Sequence, residues 1–232
     1  MIDLNDYNKE DGRFDYKQLR ADIIENFREV GLKDDALRRS YSAMLSNDEM
    51  RNLKIEAIKL NRESFENVQK LGLFSEHKAE KLDKQFLDLI NSGLDVTEDE
   101  LRFNDEALPS LLIQSIQMQD YNRMGMLLAA GAPVRIERDC LEKDTLCALA
   151  QVGDINSLLI VLSFLDKPLM EHWLIGYLNS SALDNPKSYI MGEMIARRSE
   201  ELGDDYDSLM LKSIDSYREK MNFTDYDEEF NK

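Results

Sequence analysis

SLLIQSIQMQDYNRMGMLLAAGAPV, residues 110–134, carries two apolar stripes separated by a short polar break. Leu112 and Ile116 recur at helical spacing, Gln119 and Asp120 interrupt, and Met124, Leu127 and Leu128 form the second stripe. Gly131 is expected to stop the second helix, because glycine takes positive φ without steric cost. Pro133 then bars any extension. A polar loop over 135–143 follows, broken only by Ile136, Cys140 and Leu141. The pattern then restarts with Asp144 to Ala150, a break at Gly153-Asp154, and the stripe Leu158, Val161, Leu162, Leu165. Helices are expected near 110–118, 121–130, 144–152 and 155–165, stacked as two antiparallel pairs.

Gln119 to Gly131 spans 12 positions, Gly153 to Leu165 spans 12, and Gln119 to Gly153 is an offset of 34. Upstream, Asp88 to Val96 aligns with Met126 to Val134 at an offset of 38, which suggests a third, degenerate unit. The period and the Leu127-Leu128-Ala129-Ala130-Gly131-Ala132, Thr145-Leu146 and Gly153-Asp154 motifs resemble ankyrin repeats. The T-P-L-H tetrapeptide is absent: Leu111-Leu112-Ile113 and Thr145-Leu146-Cys147 stand in its place, and Leu165 stands where a glycine is expected. The alternative is an irregular helical bundle whose hairpins happen to recur. The resemblance is good over residues 108–168. It implies an all-α helical hairpin stack, an ankyrin-like solenoid, preceded by an N-terminal helical region. It also implies binding through loop tips and first-helix faces. On the tips these residues are Arg135, Glu137, Arg138, Asp139, Glu142 and Lys143; on the first helices, Gln114, Gln117, Met118, Ala148 and Gln151. Asn156 and Arg123 belong to the expected second-helix back.

The expected organisation is a helical region over 1–75, repeats over 76–202, and a capping helix with an acidic tail over 203–232. In the first region, Leu19, Ile23, Phe27 and Val30 give one helix a buried face, ended by Gly31. Leu37, Tyr41, Met44 and Leu45 point inward from a second. Ser46 to Glu49 has capping-box spacing and opens a third helix through Leu53, Ala57, Ile58 and Leu60; Glu63 to Leu71 makes a fourth. Glu76 to Asn91 makes a fifth, with Ala79, Leu82, Phe86, Leu89 and Ile90 inward, before Gly93. Thr97 to Glu100 reads as another capping box and predicts one turn of helix before Pro109, itself placed in a helix's first turn. Later helices are expected over 168–178, over 186–202 with Tyr189, Ile190, Met194 and Ile195 buried, and over 205–221 as the cap of the open end. In the tail, Phe223, Tyr226 and Phe230 have the character of a docking peptide.

The 232 residues are 43% hydrophobic and 32% charged, which suits packed domains and not a disordered chain. No apolar run nears the ~20 residues of a bilayer span. Met1 to Asp6 has no apolar signal core, so the expected location is the cytoplasm. The alternative is delivery into a host cell by a route independent of a signal peptide. Net charge is −17, with four acids each in 95–100, 201–207 and 225–229. That field disfavours nucleic acid and anionic membrane and favours a basic protein partner.

No cofactor, metal or catalytic set is assigned. Asp6, Asn8 and Glu10 alternate like calcium ligands, yet the glycine falls at Gly12 and no glutamate closes the loop. Cys140, Cys147, His77 and His172 match no zinc spacing. Both cysteines are expected as free thiols, and Cys147 as a small core residue and not a partner of His172 in nucleophilic catalysis. The leading functional reading is a non-catalytic protein-protein interaction module. Two alternatives are a secreted bacterial effector with its activity in the N-terminal region, and an acidic inhibitor or immunity-type protein that caps a basic toxin.

Overall fold

A computed structural model describes residues 2–9, 13–71, 76–98, 100–104, 106–135, 144–168 and 186–203. These are mostly helical, with a single two-stranded sheet among the described residues. The chain divides into two compact units, Met1–Val134 and Arg135–Lys232. None of the described helices is long and apolar enough to cross a membrane.

The first unit opens with a 3-10 turn over Leu4–Tyr7. Helix α1 (Tyr16–Glu29) follows, capped by Asp15, and buries Tyr16, Leu19, Ile23 and Phe27. Val30, expected inward, is exposed: α1 ends at Glu29 and Val30 is its C-cap, next to the turn made by Gly31 at φ +108°. Helix α2 (Asp35–Met44) corrects the periodic reading more strongly. Met44 is 73% exposed and Leu37 42%, while the one buried side chain is Arg38. The reason is what α2 lies against. Arg38 donates from Nε to the Lys33 carbonyl (2.9 Å) and from Nη1 to the Ala130 carbonyl (2.8 Å). The Asn91 amide receives the Lys33 N–H (2.8 Å) and donates to the Gly31 carbonyl (2.9 Å). The C-terminal ends of α1, α4 (Glu76–Asn91) and α6 (Tyr121–Ala129) thus meet beneath α2, and their orphan carbonyls call for donors where an apolar stripe would supply none.

Helix α3 (Asn47–Leu71) begins with the expected capping box: Glu49 Oε2 accepts from Ser46 N and Oγ, and Ser46 Oγ accepts from Glu49 N. It runs unbroken through the two helices the sequence suggested, since residues 47–71 contain neither glycine nor proline. Leu82, Phe86 and Ile90 of α4 are buried as expected, and α4 packs on α3 and α6. In place of a helical turn at 97–100, β1 (Glu100–Phe103) pairs antiparallel with β2 (Glu106–Pro109), with Leu101 opposite Leu108. Asp95 Oδ1 takes both the Thr97 N–H and its hydroxyl, which removes Thr97 as a helix cap. Pro109 therefore ends a strand, and Ser110 caps the next helix.

Helices α5 (Leu111–Gln117) and α6 form the first hairpin; α7 (Thr145–Val152) and α8 (Ile155–Ser163) repeat its helices in the second unit. Leu111 to Thr145, Tyr121 to Ile155 and Ala129 to Ser163 are each 34 positions. The caps repeat as well: Ser110 and Asp144 cap the first helices, Asp120 and Asp154 the second. The turn residues Gln119 (φ +55°) and Gly153 (φ +66°) are both left-handed. Leu112, Ile116, Leu127, Leu128, Leu146, Leu149 and Leu162 are all buried. The two hairpins belong to different units.

The end of α4, expected as part of a degenerate upstream unit, shares a helix terminator with α6. The Gly93 and Gly131 amides donate to Ile90 and Leu128, and the Leu94 and Ala132 amides to Leu89 and Leu127. Helix α9 (Pro186–Glu201) packs on α8 and buries Met191, Ile195 and Ala196, whereas Ile190, expected inside, is 50% exposed. The expected helices over 168–178 and 205–221, the docking tail, and the side chains of His77, Ala79, His172 and Tyr189 lie outside the described residues.

Candidate binding surface

Six of the eleven expected binding residues are described. Gln117 and Gln151 are exposed, one near the end of each first helix, and 34 positions apart. Gln114 is half-buried: its Nε2 donates to the Pro109 carbonyl (2.8 Å) and its Oε1 accepts from Asn61 Nδ2 (3.2 Å). Met118 is half-buried at the C-cap of α5. Ala148 is buried and offers no surface, because five neighbours on its short helix, Thr145, Leu146, Cys147, Leu149 and Ala150, are buried with it. Arg135 is half-buried, and its backbone exchanges two hydrogen bonds with Thr145: Arg135 N–H to Oγ1 (3.1 Å) and Thr145 N–H to the Arg135 carbonyl (2.9 Å). Glu137, Arg138, Asp139, Glu142 and Lys143 lie outside the described residues, as does Cys140. Cys147 is a buried free thiol whose pKa is pushed up to about 12, by burial first and the nearby Asp144 second, which favours the protonated form near neutral pH.

Arg123 corrects the expected second-helix back. It is fully buried, as are the five residues after it, so α6 exposes little beyond Tyr121 and Asn122. Its Nη1 donates to Asn61 Oδ1 from α3. Its Nε lies 3.4 Å from Asp120 Oδ2 and 3.9 Å from Asp83 Oδ1, and its guanidinium sits 4.7 Å over the Phe86 ring. Nε and Nη2 make no hydrogen bond. Burial presses the guanidinium pKa down against the pull of Asp120, Asp83 and Glu63. Asp83 Oδ2 accepts from Asn122 Nδ2 (3.2 Å). Its carboxyl is raised to about 6, by burial first and by the Asp120 charge second, while Arg123 and the Asn122 hydrogen bond pull the other way.

A polar chain therefore runs from α4 through α6 and α3 to α5: Asp83, Arg123, Asn61, Gln114. Sequence reasoning missed it because apolar periodicity carries no signal for a buried cation. One signal was available. The 34-residue offset lays Arg123 over Ser157, which is buried in the same place after the same aspartate cap. Comparison with protein-family models, curated proteins and solved structures finds no match to this chain.

Proposed function

We propose that the chain is a non-catalytic protein-binding module that presents the first helices of its recurring hairpins to another protein. The observation that supports this is the recurrence itself. Both helix starts, the second-helix ends, the second-helix aspartate caps and the left-handed turns return after 34 residues, and with them an exposed glutamine, Gln117 in one hairpin and Gln151 in the other. Both helices of each hairpin are largely buried, so each first helix offers its exposed glutamine and not a broad face. The resemblance to ankyrin repeats supports the same reading, and the charge of −17 favours a partner with a basic surface.

Complexes recovered with the full chain test it. The double change Gln117→Arg with Gln151→Arg is expected to weaken partner binding at least tenfold, about 1.4 kcal/mol, with the helical circular-dichroism signal unchanged. Asn156→Arg, at an exposed second-helix position, is expected to leave binding intact. Equal loss from both variants would remove the first helices from the reading.

A further inference from the structure

Arg123 is one buried cation shared between two carboxylates. Asp120 is fixed by a second duty, since its Oδ1 caps α6 by accepting the Arg123 N–H (3.1 Å). Asp83 is held to α6 by Asn122 Nδ2 (3.2 Å) and by the longer approach to Arg123 Nε. Glu63, on α3, adds a third negative charge to the surroundings of Arg123. Among the described residues, the groups facing Asp83 are thus Arg123, Asp120 and Asn122 of α6 and its cap; α3 contributes Asn61 and Glu63 around the same guanidinium.

We propose that Asp83 is a proton-operated clasp between α4 and α6, whose state is passed through Arg123 and Asn61 to Gln114 on α5. With Asp83 protonated, Arg123 pairs with Asp120 alone and keeps its hydrogen bond to Asn61; Asn61 in turn holds Gln114 against the Pro109 carbonyl. With Asp83 ionised, two anions compete for one Nε. The guanidinium is drawn toward α4, and its hold on Asn61 slackens. The environment of Asp83, buried and beside a second acid, places this change near pH 6, within the range of ordinary cellular compartments. That the clasp tunes recognition at the first helix rests on the binding reading above. The clasp itself does not.

The test is a pH titration of the full chain by NMR, following the Asp83 carboxyl carbon and the side-chain amides of Asn61 and Gln114. The expected result is an Asp83 inflection near pH 6, with both amides shifting at the same pH. In Asp83→Asn those amide inflections should vanish. An Asp83 inflection at the ordinary carboxylate value, or amides indifferent to it, would overturn the proposal. The wild-type titration decides even if the variant fails to fold. No partner is present, so the outcome is independent of whether Gln117 and Gln151 bind anything.

Discussion

Arg38 and Arg198 do the same work at the ends of two second helices. At α6, Gly131 at φ +95° lets the Ala132 amide reach back to Leu127, and Arg38 takes the Ala130 carbonyl. At α8, Leu165 replaces the glycine and its amide reaches only Leu162. Arg198 of α9 supplies what is missing, from Nε to the Leu162 carbonyl (3.2 Å) and from Nη2 to the Leu165 carbonyl (3.0 Å). Removing it leaves the Leu165 carbonyl without that donor and the Leu162 carbonyl with only the Leu165 amide, so Arg198→Ala is expected to cost about 1–3 kcal/mol in urea unfolding. Arg198→Lys should recover only part, since an ammonium cannot fork to both carbonyls. An unchanged unfolding midpoint would show that those carbonyls are satisfied otherwise. The core leucines were legible in the sequence because apolar spacing reports them directly. Arg38, Arg123 and Arg198 were not, because a buried arginine is identical in the sequence to a surface one until its acceptors are known.

Among the elements, the hairpin helices were the most legible, since each carries its own start and stop in a short span. Two readings of element bounds failed, an extra break in α3 and a helical turn at 97–100, and both turned on competition between local signals. Polar residues alone do not end a helix, and Asp95 claims Thr97 before it can act as a cap. Glycine at 93 has a role that the sequence showed only in part. It terminates α4 at φ +99°, and a Cβ there would stand 2.6 Å from the Ser42 nitrogen and 2.9 Å from the Tyr41 carbonyl carbon of α2. Those neighbours are backbone, so α2 itself must move. Gly93→Ala is expected to cost more than the ~1–2 kcal/mol of left-handed strain alone. It should also raise hydrogen exchange in α2, the helix seated across the other helix ends. Faster exchange confined to α4, with α2 unchanged, would contradict that seating.

For the molecule as a whole, stability should depend on pH with opposite signs on two sides. Asp83 is raised to about 6 from 3.8, so its contribution is fully present below about 3.8 and is lost as pH rises through about 6. Asp15 is lowered by the hydrogen bond from the Gln18 backbone and Glu49 by that from Ser46, and their contributions disappear as pH falls through the acid range. Urea midpoints are therefore expected to rise from pH 7.5 to about 5 and to fall below it. Histidines titrate in the same window, so Asp83→Asn identifies the source by removing the neutral-side slope. A slope that survives the change belongs to another group. The binding claim is tested most directly by covalent capture, with a photo-crosslinking residue placed in the full chain at Gln117, Gln151 or Asn156. Adducts to one and the same protein from positions 117 and 151, and none from 156, are the predicted result; adducts from 156 alone would contradict it.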